Sequence, residues 1–176
     1  MKIQVVGYAA SGKSTFAKHL KKHHGLPLLH IDTIFFGPRW VERDRDVVEQ
    51  EIRAFMAQDD WIIDGQYRYM ATERYDECDQ LFIFEFNRFT CLFNAIVRRF
   101  KYHNKVRDSI APGCKEKLDP GFVMWILWTG RTKASRDLIK RQKTLYKDKV
   151  VVFKNRRQVK RYLMHLDQDR SKPGRS

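Results

Sequence analysis

The chain has 176 residues, 43% of them hydrophobic, which suits one domain with a sizeable core and leaves little room for a second. Its 35 Lys and Arg against 21 Asp and Glu give a net charge of +14, a field that favours polyanionic partners. No apolar run approaches the ~20 residues of a membrane span, and the short apolar N-terminus leaves no signal peptide, so a cytoplasmic protein is expected. The cysteines Cys78, Cys91 and Cys114 are odd in number and lack metal-ligand spacing, and they read as free thiols of a reducing compartment.

The first element is a short β-branched run, Ile3–Val6, followed by Gly7-Tyr8-Ala9-Ala10-Ser11-Gly12-Lys13-Ser14 and then Thr15-Phe16-Ala17-Lys18-His19-Leu20. This is strand, G-x-x-x-x-G-K-[ST] loop and helix, the context in which such a loop binds phosphate. Gly7 permits the turn out of the strand, and Gly12 lets backbone approach an anion without a Cβ between them. The N–H groups of Tyr8 to Thr15 and the positive end of the helix dipole then face the phosphates. Lys13 would reach the β- and γ-phosphates and Ser14 would hold Mg²⁺, so ATP and Mg²⁺ are the expected cofactors. The alternative is an ordinary glycine-containing β–α turn.

Further apolar runs follow at Leu26–Ile31, Trp61–Ile63, Leu81–Phe86 and Val150–Phe153. Their near-continuous apolarity predicts strands buried on both faces of a parallel sheet. Between them lie helical stripes: Val48, Ile52, Phe55 and Met56; then Leu92, Ile96, Val97 and Phe100; and near the end Val159, Tyr162, Leu163 and Leu166. Alternating strands and helices predict a doubly wound α/β domain over residues 1–166, with ligands at the carboxyl ends of the strands. Residues 103–118 are polar, carry Pro112 and Gly113, and read as a lid. Asp119-Pro120 reads as an N-cap and first helical residue. The helix that follows carries Phe122, Trp125, Ile126 and Trp128, for which core packing is preferred over a stacking surface. Residues 167–176 read as a disordered tail.

Two acids fall at predicted strand ends. Asp64, in Trp61-Ile62-Ile63-Asp64-Gly65, is placed like a Walker B carboxylate near Mg²⁺, with Gly65 freeing the turn beside the ligand. Asp32, in Leu28-Leu29-His30-Ile31-Asp32, is placed to face an acceptor hydroxyl as base or orienter. Either could instead cap the next turn. His30 reads as a packed or surface histidine. Arg98 and Arg99 end a helix before the lid, Arg107 lies within it, and Arg131 and Arg136 follow it. Phosphoryl transfer calls for cations on the equatorial oxygens, and at least one of this set is expected to reach the γ-phosphate. Residues 131–161 hold 13 Lys and Arg against Asp137 and Asp148, an excess of +11, which is either a solvated helix face or a nucleic-acid contact.

Taken together, Gly7–Ser14, His30-Ile31-Asp32, Trp61–Gly65, the arginine-ended helix and the short last strand resemble the adenylate-kinase-like family of P-loop kinases. Phe35-Phe36-Gly37-Pro38-Arg39-Trp40-Val41 and Gly113-Cys114-Lys115-Glu116-Lys117-Leu118-Asp119 resemble, more narrowly, the bacterial DNA topology modulation proteins of the FlaR type. The resemblance implies a three-layer fold with a five-stranded parallel sheet in the order 2-3-1-4-5 and a lid insertion. It implies a kinase or ATPase with Lys13, Asp32, Arg98, Arg99 and Arg131 in catalysis. A small-molecule or nucleotide acceptor would sit among Asp32, Phe35, Arg39, Trp40, Gly65 and Arg68. The narrower group's name implies an effect on DNA, with ATP as a switch. Asp64-Gly65-Gln66-Tyr67-Arg68 departs from the Asp-Gly-Phe-Pro-Arg of adenylate kinases, and without four metal-spaced cysteines no structural zinc is expected in the lid.

Overall fold

The computed structural model describes residues 1–101, 109–114 and 118–171. Five parallel strands form the sheet: β1 Lys2–Gly7, β2 Leu28–His30, β3 Trp61–Asp64, β4 Gln80–Phe84 and β5 Val150–Phe153. Their spatial order is β2-β3-β1-β4-β5, the 2-3-1-4-5 arrangement expected from the sequence. Register pairs Val5 with Asp64, Gly7 with Phe84 and His30 with Asp64, so the ends of β1, β2 and β3 meet at one edge of the crevice.

The strands are mostly apolar because both faces of the sheet are covered, with Gln4 a buried polar exception in the middle of β1. Ile3, Val5, Ile62, Phe82 and Phe84 point to one side, against Phe16, Ala17 and Leu20 of α1 (Lys13–His24). Val6, Trp61, Ile63, Leu81 and Ile83 point to the other, against Val48, Ile52 and Met56 of a later helix, Arg45–Met56. Between β2 and that helix lie α2 (Ile31–Phe35) and a small antiparallel ribbon of Phe36–Gly37 with Val41–Glu42. Arg45–Met56 is therefore α3; its N-cap Asp44 accepts hydrogen bonds from Asp46 and Val47 N–H. The remaining helices are α4 Arg74–Glu77, α5 Arg88–Lys101, α6 Pro120–Leu127, α7 Lys133–Leu145 and α8 Arg156–Ser171.

Several expectations need correction. β2 stops at His30, so Asp32 sits in the first turn of α2 and not at a strand end. On α5 the buried residues are Cys91, Asn94 and Ala95; Val97 and Phe100, expected in the core stripe, are exposed. On α6 Ile126 is buried in the core and Phe122 packs against it, as expected, while Trp125 and the C-cap Trp128 are half in solvent, so only part of the aromatic set is core. The polar tail expected from Asp167 is helical as far as Ser171, because α8 runs on. Of the expected lid, 103–108 and 115–117 lie outside the described residues. Its middle is anchored: Ile110, Ala111 and Cys114 are buried and pack on Phe36 and Trp40, and the Cys114 thiol donates to Gly37 O at 3.3 Å. The Asp119–Pro120 start of α6 is as expected, with Asp119 Oδ1 accepting from Phe122 N–H at 2.8 Å.

All three cysteines are buried and unbridged. Burial pushes the Cys78 thiol up to about 11. No helix among the described residues is long and apolar enough to cross a membrane.

Candidate active site

Gly7 ends β1 at φ 133°, and a Cβ there would lie 2.3 Å from Phe84 O. Only glycine lets the chain leave β1 this close to β4. Tyr8 N–H then donates to Phe84 O at 3.1 Å. Ala10 takes a left-handed φ of 56°, and Asn94 of α5 donates to its carbonyl at 3.0 Å. Ser11 Oγ and Lys13 Nζ both donate to Tyr8 O, at 2.7 and 2.8 Å. The loop is thus tied to β4 and α5 before any ligand arrives. Burial lowers the Lys13 pKa, and the charges of Asp64 and Asp32 push it back up.

The loop forms one side of a cavity of about 570 Å³. Gly7 to Ala10, Lys13 and Ser14 line that side; the lining also takes Asp32 from the first turn of α2 and Asp64 and Gly65 from the end of β3. Asp64 is buried. His30 Nδ1 is 2.8 Å from its Oδ2, and its Oδ1 is enclosed without a hydrogen-bond partner. Gly65 turns at φ 148°, where a Cβ would come 2.9 Å from the Ile31 side chain. That close approach swings the next residues toward α2, and Tyr67 Oη donates to Asp32 Oδ1 at 2.6 Å. Burial and the Asp32 charge raise the Tyr67 pKa, so the phenol stays a donor.

Beyond Asp32 the wall is aromatic. Ring centroids run Tyr67–Phe35 4.7 Å, Phe35–Phe36 4.8 Å and Phe36–Trp40 5.2 Å. Phe122 and Trp125 of α6 line the opposite rim, with the Arg98 guanidinium 5.7 Å from the Phe122 ring. Glu42 and Arg68 complete the lining on this side.

The remaining expected site residues lie differently. Arg131 is laid over the Tyr8 ring at 3.7 Å and donates to Ile126 O, Phe86 O and Cys91 Sγ, so it braces the phosphate loop against α5 and α6. Arg99 and Arg39 do not line the cavity. Thr15 is exposed on the first turn of α1. Arg107 is outside the described residues.

Four contributors escape a reading of residue types. Tyr67 orients Asp32, Asn94 holds Ala10, and Phe122 and Trp125 form a wall. A fifth is Arg74, fully buried, whose guanidinium donates to the carbonyls of Gln66 and Tyr67 at 3.0 Å, to Ala71 O at 3.1 Å and to Met70 O. It holds the loop that carries Tyr67. No local motif marks these residues, although Tyr67 and Arg68 fall in the run that departs from the adenylate kinase pattern.

Arg39 and Trp40 both have left-handed backbone, φ 62° and 66°, in the ribbon turn. Such conformations cost a side-chain-bearing residue about 1–2 kcal/mol each. Trp40 faces the cavity and Arg39 does not. Arg39→Gly should therefore leave ligand binding unchanged and hold or raise stability, by up to about 1 kcal/mol after the glycine entropy cost. Chemical denaturation checks this; a clear loss of stability would mean that the Arg39 side chain holds the turn.

The residues fit a Mg·nucleotide. Asp64 Oδ1 is an enclosed acceptor with no partner, Ser14 borders the same cavity, and Lys13 stands beside them. Among the described residues no cluster of three or more His, Cys, Asp and Glu could hold a metal, so Mg²⁺ would come with the nucleotide's phosphate oxygens and water, with Ser14 and Asp64 as the protein groups beside it. No protein-family model and no curated sequence matches the chain. Among solved structures it is similar to shikimate kinase from Bacteroides thetaiotaomicron, with a TM-score of 0.51 and 12% identity over 98% of this chain and 99% of that one. At that identity the likeness shows a shared fold alone: a five-stranded parallel sheet flanked by helices on both faces.

Proposed function

We propose that the protein is a P-loop phosphotransferase that binds ATP with Mg²⁺ and passes the γ-phosphoryl group to a hydroxyl of a small acceptor. The observation that carries this reading is that one continuous cavity has a phosphate loop on one side and a Tyr67-oriented carboxylate, Asp32, with an aromatic wall on the other. In the transfer, the acceptor oxygen bonds to phosphorus as the bond to the ADP oxygen breaks, and Asp32 takes the hydroxyl proton. Lys13 and Arg98 face the charge that develops on the transferring group. Ser14 and Asp64 are the residues that would hold Mg²⁺, which would supply neutralisation of phosphate charge.

The two segments that resemble the FlaR-type proteins support placing acceptor recognition at the ribbon. Phe36 and Trp40 of the first pack against Cys114 of the second, and Gly113 abuts Pro38. The acceptor would lie against that wall, with Phe35, Trp40, Gly65 and Arg68 around it.

Asp64→Asn should weaken the Mg²⁺ dependence of ATP binding, because the carboxylate orients the metal's shell. Asp32→Asn should leave ATP affinity close to the parent's and depress transfer. Calorimetric titration of both variants with ATP and Mg²⁺ decides this. Equal damage to ATP affinity in both would collapse the distinction between a metal-side and an acceptor-side acid.

A second reading is a nucleic-acid-binding protein that uses ATP as a switch. It is supported by the exposure of Lys133, Lys140, Arg141, Arg156, Arg157 and Lys160 on α7 and α8. Binding of this kind makes several phosphate contacts and falls steeply as salt rises. DNA affinity that is flat between low and physiological salt would remove it.

A further inference from the structure

Asp64 is useful to a metal only if its carboxylate is kept from its neighbours. Lys13 lines the same cavity and feels the Asp64 charge, so the two are natural ion-pair partners. The structure shows otherwise. Lys13 Nζ is on Tyr8 O at 2.8 Å, and Asp64 Oδ2 is bonded to His30 Nδ1 at 2.8 Å. A carboxylate oxygen only accepts, so Nδ1 carries the hydrogen.

The His30 side chain is 8% exposed and that of Asp64 5%, and register places them opposite each other at the ends of β2 and β3. The last torsion of an aspartate is broad and is set by its partners. The His30 bond settles it, leaving Oδ1 enclosed and without a hydrogen-bond partner, in a residue that lines the same cavity as the phosphate loop.

We propose that His30 is a positioning residue that holds Asp64 toward the hydration shell of the nucleotide's Mg²⁺ and away from Lys13. This rests on the phosphotransferase reading above. Histidine was passed over in the sequence because it looked like packing. The role requires only its Nδ1–H and its place beside the strand end. Asparagine presents an amide N–H close to the position of Nδ1, whereas leucine offers no donor and glutamine displaces it by a methylene.

The test titrates Mg²⁺ into the full chain with a non-hydrolysable ATP analogue, for the parent, His30→Asn, His30→Leu, His30→Gln and Asp64→Asn, and records each unfolding midpoint without ligand. Loss of such a supporting partner costs about 10–100-fold in metal affinity. His30→Leu and His30→Gln should raise the half-saturating Mg²⁺ by about tenfold or more, with metal-free nucleotide affinity held. His30→Asn should stay within a few-fold of the parent. If His30→Leu does not fold, His30→Gln against His30→Asn carries the comparison. Parent-like Mg²⁺ dependence in His30→Leu or His30→Gln overturns the proposal, as does equal loss in His30→Asn. An Asp64→Asn titration unchanged from the parent, or a parent that binds no nucleotide, overturns the underlying reading and the inference with it.

Discussion

Lys13→Ala should lower ATP turnover by about 10²–10³-fold, the scale of removing one preorganised donor from a developing phosphate charge. The fold should not suffer. Lys13 Nζ donates to Tyr8 O, and that carbonyl keeps the Ser11 hydroxyl at 2.7 Å when the lysine is gone. The variant should therefore unfold near the parent's temperature while losing the Mg·ATP-dependent rate. Steady-state turnover with a thermal unfolding curve on the same preparation checks both halves. Parent-like turnover would mean that the loop does not hold the reacting phosphates.

Arg74→Met should be the most destabilising single change near the site. Arg74 is fully buried, and its guanidinium serves the carbonyls of Met70, Ala71, Gln66 and Tyr67 and also reaches the Tyr75 hydroxyl at 3.0 Å. Methionine fills much of the space and donates nothing. Each buried acceptor left without a partner costs about 1–3 kcal/mol, so an overall loss of about 3–5 kcal/mol is expected after partial relaxation. Urea denaturation measures it. Transfer should fall as well, because the freed loop no longer presents Tyr67 to Asp32. A variant as stable as the parent would show that the loop keeps its shape without the guanidinium.

The sheet was legible because its strands are buried on both faces. Trp61–Ile63 and Leu81–Phe84 are apolar and buried at every position, with no polar alternation to confuse with anything else. The phosphate loop was legible because its demands are local: glycine at the exit of a strand and lysine at the start of a helix. What was misread depended on partners distant in sequence. Leu28–Ile31 is apolar beyond the point where β2 ends, and nothing within it says that α2 begins at Ile31. Helical spacing on α5 marks a stripe but not which neighbour covers it, so Phe100 was placed inside although the sheet receives Cys91 and Ala95. Trp125 reads as core from its type alone, yet with Phe122 it walls a cavity whose lining from Gly7 to Arg68 lies more than 50 residues earlier in the chain. Arg74 and Asn94 look like surface residues until the carbonyls of Gln66, Tyr67 and Ala10 are brought to them. Arg131 belongs to the set of lid-flanking arginines of which at least one is expected at the γ-phosphate. Its hydrogen bonds make it a brace for Tyr8 in the ligand-free protein.

The most direct test of the phosphotransferase reading is ADP release from Mg·ATP across a panel of small hydroxyl compounds, with nucleosides, nucleotides and shikimate included. Each stimulating compound is examined for an added phosphoryl group. At least one acceptor should raise the ADP rate above the basal rate and appear as its phosphate ester, and Asp32→Asn should abolish the stimulation while still binding ATP. Hydrolysis that no acceptor stimulates and that Asp32→Asn leaves untouched would contradict a transfer function and leave the cavity beyond Asp32 without the role assigned to it.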